Sequence, residues 1–303
     1  MHNAEDEVRG GTLYVVATPI GNLRDVTLRA LDVLASVDVI AAEDTRQTQK
    51  LLARHGISAR PISVRQHNER AAAEGIGKLL SSGKSVALVT DAGTPGVSDP
   101  GARVVAWARK RGFRVMPVPG PSALTAALSV CGIAWPRFLF AGFLPAKRSE
   151  RARSLEALAS AQDAMVFFEA PHRVVETLQD MARAFGADRR VVIARELTKL
   201  FEEVHECTLA QAVGWIAENR ERGRGEFVLL VEGAHVRPQT SIDPDAERML
   251  RALLGELSTT QAAKLVAKIT GAPKARLYRL ALEIKSDEKR GATNGETKRK
   301  PRA

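Results

Sequence analysis

The chain has 303 residues, 45% of them hydrophobic and 26% charged, which excludes an unstructured polymer and is typical of a globular protein with about two domains. Its formal net charge of +10 favours a polyanionic partner. Two cysteines without CxxC spacing and no apolar stretch long enough to cross a membrane argue against a disulfide framework or a membrane segment. Residues 1–10 are polar, unlike a signal peptide, and predict a disordered leader on a cytoplasmic protein.

Short apolar runs alternate with helical patterns between residues 11 and 118. The runs that predict strands cover residues 12–17, 37–42, 62–64, 85–90 and 113–118. Leucine and alanine repeats at helical spacing lie between them. Because this alternation is typical of a parallel, doubly wound sheet, the sequence predicts an N-terminal α/β domain over residues 11–118.

The stretch 85–101, SVALVTDAGTPGVSDPG, is the most informative segment of this domain. Its first half is apolar and uncharged, as in a strand buried on both faces. The second half is rich in glycine, proline and aspartate, which end the strand and let a ligand approach the backbone. Ligands of open α/β sheets bind beyond the carboxyl ends of the strands, so this loop predicts a binding site. An ordinary βα turn is the alternative.

Residues 119–236 predict a second α/β domain. The PVPGP segment at 117–121 marks the boundary, and extended or strand-like runs follow at 138–144, 164–169, 189–196 and 225–233. A linker at 238–244 precedes two or three helices at 245–285, which suggest a small, basic helix-turn-helix unit for RNA. Residues 286–303 are basic and lack apolar periodicity, so a disordered tail is expected.

A basic cluster stands at the start of one helix in the second domain. It contains Lys147, Arg148, Arg151 and Arg153, and Glu150 is the only acid among them. Positive charge at a helix N-terminus opposes the helix dipole. The cluster therefore indicates either an anion-binding surface or a solvated face, and the sequence does not decide between them.

Two segments partly match well-known functional motifs but lack residues that those motifs require. The GKS at 83–85 lacks the earlier glycine of a phosphate-binding loop and precedes its strand. The GVSDP at 96–100 ends in proline where a nucleophile elbow requires glycine. No GxGxxG follows the first strand, and the histidines have no metal-ligand spacing, so neither a dinucleotide nor a metal is expected.

Eight short motifs stand in one order along the chain. They are TPIGNL at 18–23, EDTR at 43–46, DAGTPGVSDPG at 91–101, PGPSA at 119–123, FAGFLP at 140–145, FEAPHR at 168–173, RELTK at 195–199 and GEF at 225–227. Together they closely resemble the tetrapyrrole methylase superfamily and, within it, the ribosomal RNA small subunit methyltransferase I family. The resemblance covers about residues 11–233 and, more weakly, the C-terminal helices.

This resemblance implies S-adenosylmethionine in a cleft between two α/β domains of a homodimer. It also implies methylation of a ribose 2′-hydroxyl on a cytidine in the decoding region of 16S ribosomal RNA, with naked RNA or the 30S subunit as substrate. The residues that would hold the cofactor are Thr18, Pro19, Asp91, Ala92, Gly93, Thr94, Pro95, Ser98, Ser122, Ala123, Phe168, His172, Glu226 and Phe227.

Four residues are candidates for handling the proton of the attacking hydroxyl. Glu43, Asp44 and Arg46 follow one strand and Lys199 follows another. A lysine whose pKa is lowered by burial, or a carboxylate whose pKa is raised, can act as the base. The alternative is that the first three residues only cap a helix and pair with each other.

Two other functions are compatible with parts of the sequence. A precorrin C-methyltransferase shares the fold, but that branch carries Gly-Asp-Pro where this chain has Gly93-Thr94-Pro95, and it needs neither the C-terminal helices nor the +10 charge. A non-enzymatic nucleic-acid-binding regulator would use the helices and the tail but not the glycine-rich loops. Binding of S-adenosylmethionine separates the regulator from both enzymes.

Overall fold

A computed structural model describes residues 8–64, 69–234 and 244–296 of the chain. The chain forms two compact units, Met1–Ala234 and His235–Ala303. The first unit contains two five-stranded sheets, one from each of the α/β domains expected from the sequence.

The first sheet is entirely parallel. Its strands are β1 (Thr12–Val16), β2 (Val39–Ala42), β3 (Ile62–Ser63), β4 (Val86–Val89) and β5 (Arg114–Val118). Their spatial order is β3-β2-β4-β1-β5, so β4 lies inside the sheet, and all four of its residues are buried. A strand covered by helices on both faces needs a continuous apolar run, which is the pattern that its sequence shows.

Four helices accompany this sheet: α1 (Leu28–Ser36), α2 (Thr45–Arg54), α3 (Glu69–Ser81) and α4 (Ala102–Lys110). Each helix follows a strand and leads back to the next, which makes every strand parallel to its neighbours. The carboxyl ends of the strands, and the loops after them, therefore gather at one edge. The doubly wound sheet predicted for residues 11–118 is confirmed.

The second sheet is mixed. Its strands are β6 (Phe138–Phe143), β7 (Ala164–Glu169), β8 (Arg190–Arg195), β9 (Glu203–Thr208) and β10 (Phe227–Val231), in the order β6-β7-β10-β8-β9. Only β6 and β7 are parallel. Strand β10 lies antiparallel between β7 and β8, and β9 pairs antiparallel with β8. The sequence analysis missed β9, because its residues EVHECT are mostly polar and partly exposed.

Four helices pack with the second sheet: α5 (Ala123–Val130), α6 (Arg148–Leu158), α7 (Val174–Phe185) and α8 (Leu209–Ala217). The basic cluster at the start of α6 is partly structural. The Arg151 side chain is 1% exposed and ion-pairs with Asp180 at 2.8 Å and Glu176 at 3.2 Å. Lys147 pairs with Glu150, and Arg148 also contacts Asp180. Arg151 is therefore structural, and for the exposed Lys147, Arg148 and Arg153 the anion-binding surface and the solvated face both stay predictions.

The C-terminal unit contains α9 (Pro244–Leu254), α10 (Thr259–Thr270) and α11 (Lys274–Glu296) around a core of their own. Ser258 caps α10 in a capping box with Gln261, and Gly271 ends that helix in a left-handed conformation. The tail expected from residue 286 instead continues α11 as far as Glu296. The rest of that tail, and residues 1–7 of the expected leader, lie outside the described residues.

Candidate active site

The loops after β1 and β4 are joined at the carboxyl edge of the first sheet. Thr18 and Gly93 form an isolated antiparallel bridge, with N···O distances of 2.9 and 3.0 Å. Gly93 has a φ of +78°, a conformation that glycine adopts without strain. The Thr18 hydroxyl also donates to the carbonyl of Thr90 at 3.1 Å. These hydrogen bonds join the loop after β1 to the loop after β4, and the joined pair is here called the backbone ledge.

Beside this ledge lies a cavity of about 360 Å³, here called the apolar pocket. Ile20, Phe143, Phe168 and Leu197 form much of its wall. Eight of the predicted cofactor-binding residues line it: Ala92, Gly93, Thr94, Ser122, Ala123, Phe168, Glu226 and Phe227. The pocket thus combines loops that follow strands of both sheets.

Three predicted cofactor-binding residues line neither this pocket nor its neighbour. Pro95 is buried within the loop, and His172 is exposed in the turn before α7. Ser98 has a φ of +60° and packs so closely on Gly142 that a Cβ there would lie 2.6 Å from its hydroxyl oxygen. Their placement points to a role in shaping the loops, and their cofactor contacts stay predictions.

A second cavity, of about 290 Å³, adjoins the first and is here called the polar pocket. Among its lining residues are Thr18, Pro19, Gln47, Thr48, Lys50, Thr90, Asp91 and Lys199. Ile20, Ala92 and Glu226 line both pockets. The two cavities therefore meet at these three residues.

Lys199 is held in the polar pocket by two carboxylates. Its Nζ donates to Glu196 Oε1 at 2.8 Å and to Glu226 Oε2 at 3.0 Å. Gly21 leaves room for the lysine stem, since a Cβ there would lie 2.5 Å from its Cγ. Gly225 does the same for the carboxyl group of Glu196, at 2.4 Å. Three of the eight motifs therefore interlock around one ammonium group.

This environment raises the pKa of Lys199. Burial works in the opposite direction, but the hydrogen bonds and charges of Glu196 and Glu226 outweigh it. Burial alone would raise the pKa of Glu196, but this pKa is lowered, because Glu196 accepts hydrogen bonds from Lys199 and from the backbone N–H of Glu226. Lys199 is thus an ammonium at neutral pH, and it is placed to donate a hydrogen bond instead of accepting a proton.

In the segment Glu43–Arg46, Asp44 and Arg46 stabilise the start of α2, whereas Glu43 is distinguished by its raised pKa. Asp44 caps α2 by accepting from the backbone of Arg46 at 2.8 Å and also binds its guanidinium at 2.7 Å. Glu43 differs, because burial and then the charge of Asp91 raise its pKa. The helix-capping interpretation thus fits Asp44 and Arg46, and Glu43 keeps the properties of a candidate base.

Asp99 is the site residue that the sequence analysis missed. It lines the apolar pocket and has no hydrogen-bond or ion-pair partner within residues 8–64, 69–234 and 244–296. Burial, reinforced by the charges of Glu43, Asp91 and Glu226, raises its pKa to about 7. The only sequence signal was its position in the loop after β4, which it shares with several other residues.

The described residues contain neither a membrane-spanning helix nor a metal-binding cluster. None of their helices is both long and apolar enough to cross a bilayer. In the same residues, no group of three His, Cys, Asp or Glu side chains is arranged to hold a metal ion.

Two protein-family models together match most of the chain. Residues 12–213 match the tetrapyrrole (corrin/porphyrin) methylases, and residues 240–285 match the RsmI C-terminal HTH domain. Among solved structures, the chain is similar to the methyltransferase CobJ, with 22% identity, a TM-score of 0.57 and coverage of 77% of this chain and 98% of that one. A cobalt precorrin-4 methyltransferase is similar over 73% of this chain and 95% of its own, with 19% identity and a TM-score of 0.56. These two structures support the fold.

Curated relatives are much more similar in sequence. A ribosomal RNA small subunit methyltransferase I from Neisseria meningitidis is 48% identical over 94% of this chain and 98% of its own length. Proteins of the same name from Vibrio cholerae and Escherichia coli O157:H7 are 48% and 45% identical over 89% and 93% of this chain, and over 94% and 98% of their own lengths. The chain therefore belongs to the tetrapyrrole methylase family and, within it, to the ribosomal RNA small subunit methyltransferase I group of methyltransferases.

Proposed function

We propose that this protein transfers a methyl group from S-adenosylmethionine to the ribose 2′-hydroxyl of a cytidine in the decoding region of 16S ribosomal RNA. The observation that carries the proposal is the pair of adjoining pockets that meet at Ile20, Ala92 and Glu226. One pocket combines aromatic and aliphatic walls with the Asp99 carboxyl group, and the other offers an ammonium and carboxylates to a hydroxyl group. The relatives named for small-subunit ribosomal RNA support the choice of substrate.

The apolar pocket fits the methyl donor in chemistry as well as in size. Its volume of about 360 Å³ lies within the range of small-molecule sites. Phe143 and Phe168 offer aromatic faces to a purine, and Ser122 and Thr94 offer hydroxyl groups. Asp99 is a half-buried carboxyl without a hydrogen-bond partner in the described residues, and a cationic ligand satisfies such a group.

S-adenosylmethionine supplies an electrophilic methyl group when it is bound, so the protein mainly has to align the acceptor oxygen and manage its proton. The Lys199 ammonium is positioned to stabilise negative charge that develops on that oxygen. Asp91 lines the polar pocket, and Glu43, whose pKa is raised by burial and by the charge of Asp91, follows β2 outside the pocket lining; these two carboxylates are the candidates to accept the proton. Glu196 and Glu226 hold the ammonium in place.

We also propose that the protein acts as a homodimer in the cytoplasm. Exposed apolar side chains on the edge strand β6 support a partner surface: Phe138 is 45% exposed, Leu139 42% and Phe143 54%. A tetrapyrrole substrate is disfavoured by the matched C-terminal helix-turn-helix domain and the net charge of +10. A regulator without enzymatic activity leaves both pockets unexplained.

The test is to incubate the protein and methyl-labelled S-adenosylmethionine with 30S subunits that lack the modification, and then to digest the RNA to nucleosides. We expect label on the 2′-oxygen of one cytidine, and a parallel reaction with naked 16S RNA shows which form is the substrate. Label on a base carbon or nitrogen, or transfer to a porphyrinoid instead of RNA, would contradict the proposal.

A further inference from the structure

Helix α2 carries a row of cations that leads away from the polar pocket. Arg46, Lys50 and Arg54 are four residues apart, so they share one face at intervals of about 6 Å. All three are exposed, and the helix sequence TRQTQKLLAR contains no acidic residue. Because α2 follows β2 at the carboxyl edge of the sheet, the row begins near the candidate active site.

Two of these cations, Arg46 and Lys50, line an open depression of about 610 Å³, here called the α2 groove, whereas Arg54 lies outside its lining. Its lining residues are Thr45, Arg46, Gln49, Lys50, Ala53, Arg60 and Pro61. Lys50 lines both the groove and the polar pocket. The Lys50 side chain therefore lies between the groove and the place where the acceptor hydroxyl is proposed to bind.

The cations of the groove keep donors available for a ligand. Asp44 engages Nε and Nη2 of Arg46 and leaves Nη1 without a contact to it. Lys50 donates to Gln47 at 3.2 Å and has two further N–H groups. Arg60 is exposed and makes no ion pair within the described residues. Such a row suits a chain of phosphates, since each phosphate can meet one cation.

We propose that the α2 groove binds the sugar–phosphate backbone of the RNA strand next to the target nucleotide, with Lys50 at the phosphate nearest the reacting ribose. The inference rests on the proposed function, because it needs RNA in the polar pocket. It adds a distinct role: the groove fixes which nucleotide enters the pocket. Phosphate contacts of this kind set position along a strand but do not read bases.

The experiment uses the full-length double variant Lys50→Gln/Arg60→Gln. Its matched control is Arg109→Gln/Lys110→Gln, which removes the same charge at the C-terminal end of α4, on the opposite edge of the sheet. Affinity for 30S subunits lacking the modification is measured by filter binding at several salt concentrations, and affinity for S-adenosylmethionine by calorimetry. Methyl transfer is measured on the same subunits.

For the groove variant we expect affinity for the subunit to fall about tenfold, and the slope of log affinity against log salt to shrink by about 0.7–0.9 per lost contact. Affinity for the donor should stay within about twofold of the wild type, and the control should match the wild type in every measurement. Equal salt slopes for the two variants, or an equal loss of affinity in both, would overturn the groove proposal. Methylation of RNA by the wild type would in that case still support the proposed function. Failure of the wild type to methylate RNA would instead overturn the proposed function.

Discussion

Under the proposed function, the apolar and polar pockets, which share three lining residues, serve different tasks. Aromatic and aliphatic walls such as Phe143, Phe168 and Leu197 dominate the first, whereas Lys199 and Asp91 mark the second. A methyl donor brings its own reactivity, so its pocket needs shape and one complementary charge. An acceptor hydroxyl must become a nucleophile, so its pocket needs groups that manage charge. The contrast predicts that substitutions in the two pockets affect different measurements.

The largest expected effect is loss of donor binding in Gly93→Val. Gly93 lines only the apolar pocket, at a φ of +78°, so a branched side chain both strains the ledge and enters the ligand's space. We expect the dissociation constant for S-adenosylmethionine to rise by at least about 100-fold, or roughly 3 kcal/mol.

Calorimetry measures that affinity, and Gly56→Val provides the control. Gly56 has a similar φ of +70° with no atom near its Cβ position, and it lies at the end of α2. The control should lose stability but keep its affinity for the donor. A folded Gly93→Val protein with unchanged affinity would show that the ledge is only a turn.

Gly93→Val should weaken donor binding, whereas Lys199→Met should slow methyl transfer without weakening donor binding. The ammonium contacts Glu196 and Glu226 in the polar pocket, so its removal should lower kcat about 10–100-fold and leave the affinity for the donor within about twofold. Single-turnover methyl transfer and calorimetry measure the two quantities. Lys199→Arg keeps the charge and should retain more activity than the methionine variant. Wild-type turnover in Lys199→Met would remove this residue from the mechanism.

A protein ending at residue 237 tests the contribution of the C-terminal helices. Both pockets are lined by residues of the first unit, and the C-terminal helices have their own core. We expect donor affinity to be unchanged, affinity for the 30S subunit to fall about tenfold, and the salt dependence to become shallower. Filter binding at several salt concentrations measures this. Equal salt slopes for the full and shortened proteins would exclude these helices from RNA binding.

The smallest effect concerns the pH dependence of stability through Asp99. The pKa of Asp99 is about 7 in the folded protein against 3.8 for an unperturbed aspartate, so between these values only the native state holds the proton. Stability should therefore fall as pH rises from about 4 to 7. In Asp99→Asn, the decrease in the free energy of unfolding over this pH range should be about 1 kcal/mol smaller than in the wild type. This figure is reduced for solvent screening.

Denaturant unfolding at pH 5 and pH 8 measures this effect. The control is Asp188→Asn, at an exposed position away from the apolar pocket. The control should show the same difference between the two pH values as the wild type. If Asp99→Asn shows the same difference in stability between pH 5 and pH 8 as the wild type, the Asp99 carboxyl of the wild type is ionised in the native state at both pH values.

The sequence by itself determined much of the local structure and indicated the loop that lines both candidate pockets. The uncharged run of β4 and the glycine-rich loop after it were enough to predict a buried strand and a binding loop, because burial on both faces and close approach of a ligand both restrict side chains. In the C-terminal unit, the capping box of Ser258 and the left-handed Gly271 are local features of the same kind. These signals act within a few residues, so a single chain displays them.

Only the tertiary structure decided how the motifs act together. Gly21 and Gly225 are required because the side chains of Lys199 and Glu196, far away in sequence, occupy the space beside them. The protonation of Lys199 and the raised pKa of Asp99 depend in the same way on neighbours that no local pattern reveals. The antiparallel pairing of β10 between β7 and β8 also depends on long-range contacts. The space available at a site and the pKa values of its groups depend on residues that are distant in sequence and that only the fold brings together.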